Sequence, residues 1–343
     1  MAEPFSDVCK SAFQITGNLT FVGIQWFRVC ISLVACVTAV ASAGYVIAYK
    51  LYHCNLRILI VNISLPTFGY CGLTAYRSIH YLYIYYNFNK DDCAYAASKR
   101  SCAIQMAAAS ALYQACISSI LVSAIERTMA TIMSKTYEYR RHRFLILFLA
   151  VTTWWQPIFT IVMVLVSDPE NNGLTDYCSA QTIGKYYLQF FNYLLLGSMA
   201  VSIFLCSFLF VYNQKLIAEY HKSPQNLSHS YQLHENIHTT RSVLASALIL
   251  SLVTVVNFVL ASVGWHIFPS SESFSIVKEL TNVSIAFFSI GHFTSLIMNK
   301  TLKFIKRGVT EENHRKLDNI HNYGQSSEYF KKLQAYWRTH ATN

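Results

Sequence analysis

Seven stretches of this chain contain no Asp, Glu, Lys or Arg: Val29–Tyr49, Ile58–Tyr76, Ser101–Ile125, Phe144–Ser167, Tyr186–Gln214, Ser242–Ser271 and Leu280–Asn299. Each reaches or approaches the ~20 residues that cross a ~30 Å hydrocarbon core as a helix. Backbone polar groups inside lipid must be satisfied within the segment, which selects helices or a closed barrel. A barrel needs alternating strands of ~10 residues, whereas these runs are continuous. Composition agrees: 53% of residues are hydrophobic and 13% charged, against about 25% charged in soluble proteins. The expected fold is an all-α membrane protein, a seven-transmembrane helix bundle. Met1–Lys10 carries acidic residues and lacks the apolar core of a signal peptide, so the first span is expected to act as its own insertion signal.

The distribution of Lys and Arg sets the expected orientation. With the N-terminus outside, the outer segments hold 8 of the 27, namely Lys10, Arg28, Arg77, Lys90, Lys99, Arg100, Lys185 and Lys278, and the inner segments hold the other 19. Cytoplasmic loops carry such an excess. The expected organisation is therefore an extracellular segment 1–28, a seven-helix domain 29–299 and a cytoplasmic tail 300–343. The net charge of +10 then faces anionic lipid, which makes membrane lipids the partner and does not imply nucleic acid. Lys300, Lys303, Lys306 and Arg307 interleave with Leu302, Phe304 and Ile305, as in a short amphipathic helix on the inner leaflet. Beyond Gly308 the polar tail offers Ser326 and Ser327 for phosphorylation.

Of ten cysteines, Cys9, Cys93, Cys102 and Cys178 fall on the expected outer side. An even number there suits two disulfides, with three pairings open. Asn18-Leu19-Thr20 is a glycosylation sequon on the same side, close to the first span.

The third run ends on Glu126-Arg127 at the expected cytoplasmic face. A snorkelling boundary residue accounts for Lys135, Arg140, Arg141 and Arg143, but an acid gains nothing from the inner leaflet's negative potential. Cys102 opens the same run 25 residues before Arg127, and Tyr137 follows ten residues after it. This spacing resembles that of rhodopsin-like G-protein-coupled receptors, although Thr128 stands where their motif has Tyr. Ile125-Glu-Arg-Thr-Met-Ala-Thr131 with Tyr137-Glu138, and Leu227-Ser-His-Ser-Tyr-Gln-Leu-His-Glu-Asn236, resemble more closely the signatures of nematode serpentine chemoreceptors of the Sra superfamily, most of all class alpha/beta.

The resemblance implies a chemosensory receptor in the plasma membrane of a sensory neuron. Its partners would be a small-molecule ligand and a heterotrimeric G protein; the pattern leaves a homo- or heterodimer open. It implies disulfides Cys102–Cys178 and Cys9–Cys93. It also implies a switch in which Glu126 and an acid on span six hold Arg127, with Glu235 the candidate acid and Asn236, Tyr137 and Glu138 in the same machinery. No cofactor is expected, and retinal is not implied because span seven has no Lys.

For the ligand, Gln105, Ala109, Tyr113 and Gln114 in span three, Gln189 and Tyr193 in span five, and Trp265 and His266 in span six form the expected pocket. Ala109 where amine receptors carry Asp argues against a cationic amine, and the aromatic set suits a small neutral or lipophilic compound. Each residue taken singly is more often an interhelical packing residue. His234-Glu235-x-x-His238 spells a zinc-peptidase motif, so an intramembrane metalloprotease is the enzymatic alternative. Its position at a helix entrance, without a third ligand motif, weighs against it. A transporter would want repeats or acids inside spans, and neither is seen.

Overall fold

Apolar runs of this length leave the backbone no partner but itself, and each forms helix. The computed structural model describes residues 3–49, 54–88, 93–133, 143–167, 173–178, 185–220, 227–267 and 271–298. Within these, side chains are not described at 3–6, 49, 54, 143, 167, 185–192, 220, 227–235, 260–267 and 271–274. The helices are α1 Glu3–Thr16, α2 Leu19–Tyr49, α3 Cys54–Asn87, α4 Lys99–Ile132, α5 Arg143–Thr152, α6 Trp155–Ser167, α7 Lys185–Tyr220, α8 Leu227–Ile267, α9 Ser271–Thr281 and α10, residues 284–298. Seven segments are long and apolar enough to span a membrane. Met1–Leu296 forms one compact unit and Ile297–Asn343 a second, of which only 297–298 are described. The expected tail helix at 300–307 and the serines at 326 and 327 lie outside the described residues.

Two spans are interrupted. In span four, α5 and α6 are separated at Thr153-Trp154. Pro157 has no N–H to offer the Thr153 carbonyl, which ends the helical ladder there. In span seven, α9 and α10 are separated at Asn282-Val283, whose N–H groups donate to the carbonyls of Lys278 and Leu280 at 3.2 Å.

Six of the seven spans run past their charge-free stretches, three of them far enough at the expected outer end to bury charges, which corrects the expected span limits. Span one begins at Leu19, span two continues to Asn87 and span seven begins at Ser275. Arg28 and Arg77 were assigned to outer segments, and no acid was expected in a span. Instead Arg28, Arg77 and Glu279 lie inside spans and are buried. Removing the two arginines from the outer count leaves the Lys and Arg bias with the same sign and larger.

Residues 3–16, read only as an outer segment, form a helix. Ala12 and Ile15 are buried on one face while Asp7, Lys10 and Gln14 are exposed on the other. Phe13 meets Tyr95 edge-on at 5.3 Å, and Ser11 Oγ donates to Asp176 at 2.9 Å. Asn18 begins α2, its side-chain oxygen accepting from the Thr20 N–H at 2.7 Å as an N-cap does. Ser98 caps α4 in the same way, accepting from Ser101 N–H at 3.2 Å. Just before it, Ala97-Ser98 pairs antiparallel with Leu174-Thr175.

The bundle core runs through Ile63, Ile117, Ile120, Met199, Leu250 and Phe288. Helices in lipid associate through close packing and interhelical hydrogen bonds, and both occur. A Cβ on Gly69 would stand 3.1 Å from Leu112, so α3 and α4 approach closely there. Ser42 and Ser64 join α2 to α3 at 2.8 Å, and Thr38 and Ser289 join α2 to α10 at 3.0 Å. Asn62 draws three elements together. Its Nδ2 donates to Ser119 on α4 and to Thr153 at the break of span four, both at 3.0 Å. Its Oδ1 accepts from Trp154 Nε1 at 3.1 Å.

Candidate functional site

One continuous helix, α4, carries a candidate feature at each end. At its C-terminal end Glu126 and Arg127 are buried. Their side chains form a bidentate pair through Arg127 Nε and Nη2. Arg127 Nη1 donates to Thr239 Oγ1 on α8 at 2.7 Å. Around this link Asn236 Nδ2 donates to the Ala130 carbonyl at 3.4 Å, and Asn213 Nδ2 on α7 donates to Thr131 Oγ1 at 3.2 Å. The α8 partner described for Arg127 is thus a hydroxyl one turn beyond Glu235, whose own side chain is among those not described. The space beside it, lined by Ser123, Thr239, Ser246 and His292, holds about 10 Å³, no more than one water. Among the described residues, α4 and α8 are held together at this end. Tyr137 and Glu138 lie outside the described residues.

At the other end of α4, Cys102 pairs with Cys178 and, nearby, Cys9 with Cys93, at Cα separations of 5.3 and 5.1 Å, ordinary for disulfides. Both pairs match the expectation from the family resemblance. Together they fasten α1 to residues 93–95 and the 173–178 segment to the start of α4. The expected pocket residues whose side chains are described are not gathered into one site. Gln105 faces a cavity of about 300 Å³, and its Nε2 donates to Ser101 Oγ at 3.3 Å. Ala109 is half-buried. Tyr113 OH donates to Thr254 Oγ1 on α8 at 2.7 Å. Gln114 accepts from Thr160 Oγ1 of α6 at 2.8 Å, turned towards span four. Tyr193 is 62% exposed and packs on Phe258. The side chains of Gln189, Trp265 and His266 are not described.

The cavity lies between the disulfide-side halves of α3 and α4 and residues 94–98. Tyr76, Tyr81 and Tyr95 supply aromatic walls; Ser98, Ser101 and Gln105 supply neutral polar groups; Arg77 and His80 supply the titratable ones. Behind Arg77 stands a charge cluster that the sequence reading missed. Arg28 Nη1 is paired with Glu279 Oε2 and donates to Gln25 Oε1 at 3.0 Å. Tyr177 OH donates to Glu279 Oε1 at 2.7 Å. Burial pushes the Tyr177 phenol above its ordinary pKa, so it remains a donor. Arg77 Nη2 is 3.9 Å from the same Oε1 and donates to the Cys178 carbonyl at 3.4 Å. Half-buried Lys278 lies within electrostatic reach of Arg77. One carboxylate therefore serves two buried guanidinium groups. Leaving a buried charge unpaired costs about 3–5 kcal/mol, so Glu279 is the residue on which this end depends.

A signal for the cluster was present. Arg28, Arg77 and Glu279 each directly border a charge-free run, and the sequence beyond each continues apolar: Leu19–Phe27, Ser78–Tyr86 and Ser275–Val277. A charge or, for Glu279, a Lys278-Glu279 charge pair set between apolar sequence on both sides is a candidate for pairing inside a bundle.

His234, Glu235 and His238 lie on α8, but the first two side chains are not described. Among the described residues no group of three or more His, Cys, Asp and Glu side chains could hold a metal ion.

Comparison with known proteins agrees with this architecture. Residues 8–338 match the family described as serpentine type 7TM GPCR receptor class ab chemoreceptor. Among curated proteins the chain is similar to serpentine receptor class alpha/beta-14 of Caenorhabditis elegans, 28% identical over 253 residues. That match covers 70% of this chain and 62% of the relative, less than two thirds of the relative's length.

Proposed function

The chain belongs to the class ab serpentine 7TM GPCR chemoreceptors, and from that premise we propose that it binds an external small molecule and signals to a heterotrimeric G protein by rearranging its helices. The family is one of receptors and not of enzymes, and the chain is a multi-pass membrane protein. Ligand binds at the end bearing the disulfides, which faces outwards. The Arg127 end faces the cytoplasm, with residues 300–343 as the tail, and the membrane is that of a sensory neuron.

One observation carries this reading: buried Arg127 is held by Glu126 on its own helix and by Thr239 on α8, at the opposite end of α4 from the Cys102–Cys178 bridge. A ligand touching the outer half of α4 and an opening at its inner end are then two biases on one rigid helix. Opening requires α8 to leave α4, which breaks the Arg127–Thr239 and Asn236–Ala130 hydrogen bonds and frees Arg127 for the G protein. Glu235, Tyr137 and Glu138 act in the same switch. This is a two-state element whose balance a ligand shifts by its differential affinity.

Co-expression with a panel of G proteins, followed by a screen of volatile and soluble chemicals, tests the proposal. Intact surface expression without coupling to any G protein, basal or stimulated, would refute it.

A further inference from the structure

We infer that the ligand is a small carboxylate, held by Arg77 in the cavity between α3, α4 and residues 94–98. The inference rests on the reading of the chain as a receptor and narrows the ligand that reading leaves open.

The first ground is unsatisfied charge. Among the described residues, Arg28 and Arg77 share the one carboxylate of Glu279. Arg28 takes one Glu279 oxygen and Tyr177 OH takes the other at 2.7 Å. Arg77 is left at 3.9 Å, beyond hydrogen-bond range of that oxygen. Its Nε has no partner, its remaining contacts are Met106 Sδ, a weak acceptor, at 3.9 Å and the neutral Cys178 carbonyl at a long 3.4 Å, and the residue is 5% exposed. Arg28 also leaves Nε and Nη2 without a hydrogen bond but contacts the carboxylate directly; Arg77 has no such direct contact, and it is the one that lines the cavity.

The second ground is the shape and chemistry of the space. A guanidinium presents a planar fork that matches a carboxylate in two parallel hydrogen bonds. A neutral carbonyl satisfies the fork without neutralising it, and an amine is repelled. Among the described residues no Asp or Glu lines the cavity. Tyr76, Tyr81, Tyr95 and Ile84 offer apolar surface to the rest of the molecule. A volume of about 300 Å³ accommodates on the order of ten non-hydrogen atoms, taking ~30 Å³ as the share of one water. That admits a C2–C9 monocarboxylic acid.

The test uses the full-length receptor in nanodiscs of zwitterionic lipid. Binding of C2–C9 monocarboxylates, benzoate and butyrate among them, is compared with binding of the matching amides and amines by ligand-induced thermal stabilisation and by calorimetry. At least one acid is expected to bind ~10–100-fold more tightly than its amide. Arg77→Gln should erase the difference, and Arg77→Lys should keep only part of it. Gln105→Glu, which places a carboxylate in the cavity and leaves Arg77 intact, should block the acids even if Arg77→Gln fails to fold. Amides binding as tightly as their acids throughout, or acid binding that survives both Arg77→Gln and Gln105→Glu, overturns the inference. G-protein activation measured in parallel separates it from the receptor reading. Activation by neutral compounds irrespective of Arg77 overturns the carboxylate alone. Arg77-dependent acid binding without any activation supports the site and overturns only the receptor.

Discussion

Glu279→Gln is the substitution that most directly tests the account of the buried charges. It is isosteric, keeps an acceptor for Tyr177 OH, and removes the single negative charge from between Arg28 and Arg77. At 3.9 Å and an effective dielectric of ~20, the Arg77 attraction alone is about 4 kcal/mol, and removing one partner of a buried pair costs about 3–5 kcal/mol. Arg28→Met should cost less, under about 2 kcal/mol, because Glu279 keeps Arg77 and Tyr177 and the apolar side chain fills the vacated space. The double variant Arg28→Met/Glu279→Gln should be more stable than Glu279→Gln alone, since one unpaired cation replaces two. Thermal unfolding of each variant in the same detergent gives the order of stabilities, and labelling of an N-terminal tag on intact cells gives the surface fraction. The reasoning is refuted if Glu279→Gln lies within ~0.5 kcal/mol of the parent, or if Arg28→Met is the more damaging single change.

Further outcomes are expected elsewhere. Thr239→Val removes the hydrogen bond from Arg127 to α8 and should raise ligand-independent signalling ~10-fold, the effect of about 1.5 kcal/mol on a two-state balance; basal signalling at or below the parental level would count against the lock. Asn62→Ala strands Trp154 Nε1 and removes the bonds that the Asn62 amide donates to Ser119 and Thr153, and should cost ~1–3 kcal/mol, so an unchanged unfolding midpoint would deny it a structural role. Cys102→Ser should release Cys178 to an impermeant maleimide without reductant and lower stability by ~2–4 kcal/mol; no newly labelled thiol would mean the bridge is not made.

The existence of seven spans was legible because charge avoidance in lipid is a local property that a run of residues displays by itself. Their limits were not. Treating Arg28, Arg77 and Glu279 as helix ends assumed that a charge must leave the membrane, whereas each is tolerated by partners far away in sequence. The same distance hid Thr239. An acid was sought for Arg127, and a hydroxyl one turn further along α8 fills the described part of that role. The helical phase of the pocket residues was also out of reach. Spans that are apolar all round give no stripe from which to tell an inward face from a lipid-facing one, so Tyr193, turned outwards, could not be told from Tyr113, turned to α8. The disulfides were legible through family likeness, whereas the helix at residues 3–16 was not, because its charges at Glu3, Asp7 and Lys10 leave no charge-free run.

The pairing of Arg28 with Glu279 also has a history in time. The two residues are 251 positions apart, so at 5–20 residues per second a ribosome needs roughly 10–50 s to deliver the acid after the base. Through that interval the first two spans hold Arg28 and Arg77 without their counter-ion, each at a cost of ~2.5–3.5 kcal/mol against insertion if near mid-span. Only the last span, carrying Glu279, relieves both. A nascent chain halted before residue 279 is therefore a substrate for membrane quality control, and delivery of the seventh span is itself the event that seals the bundle.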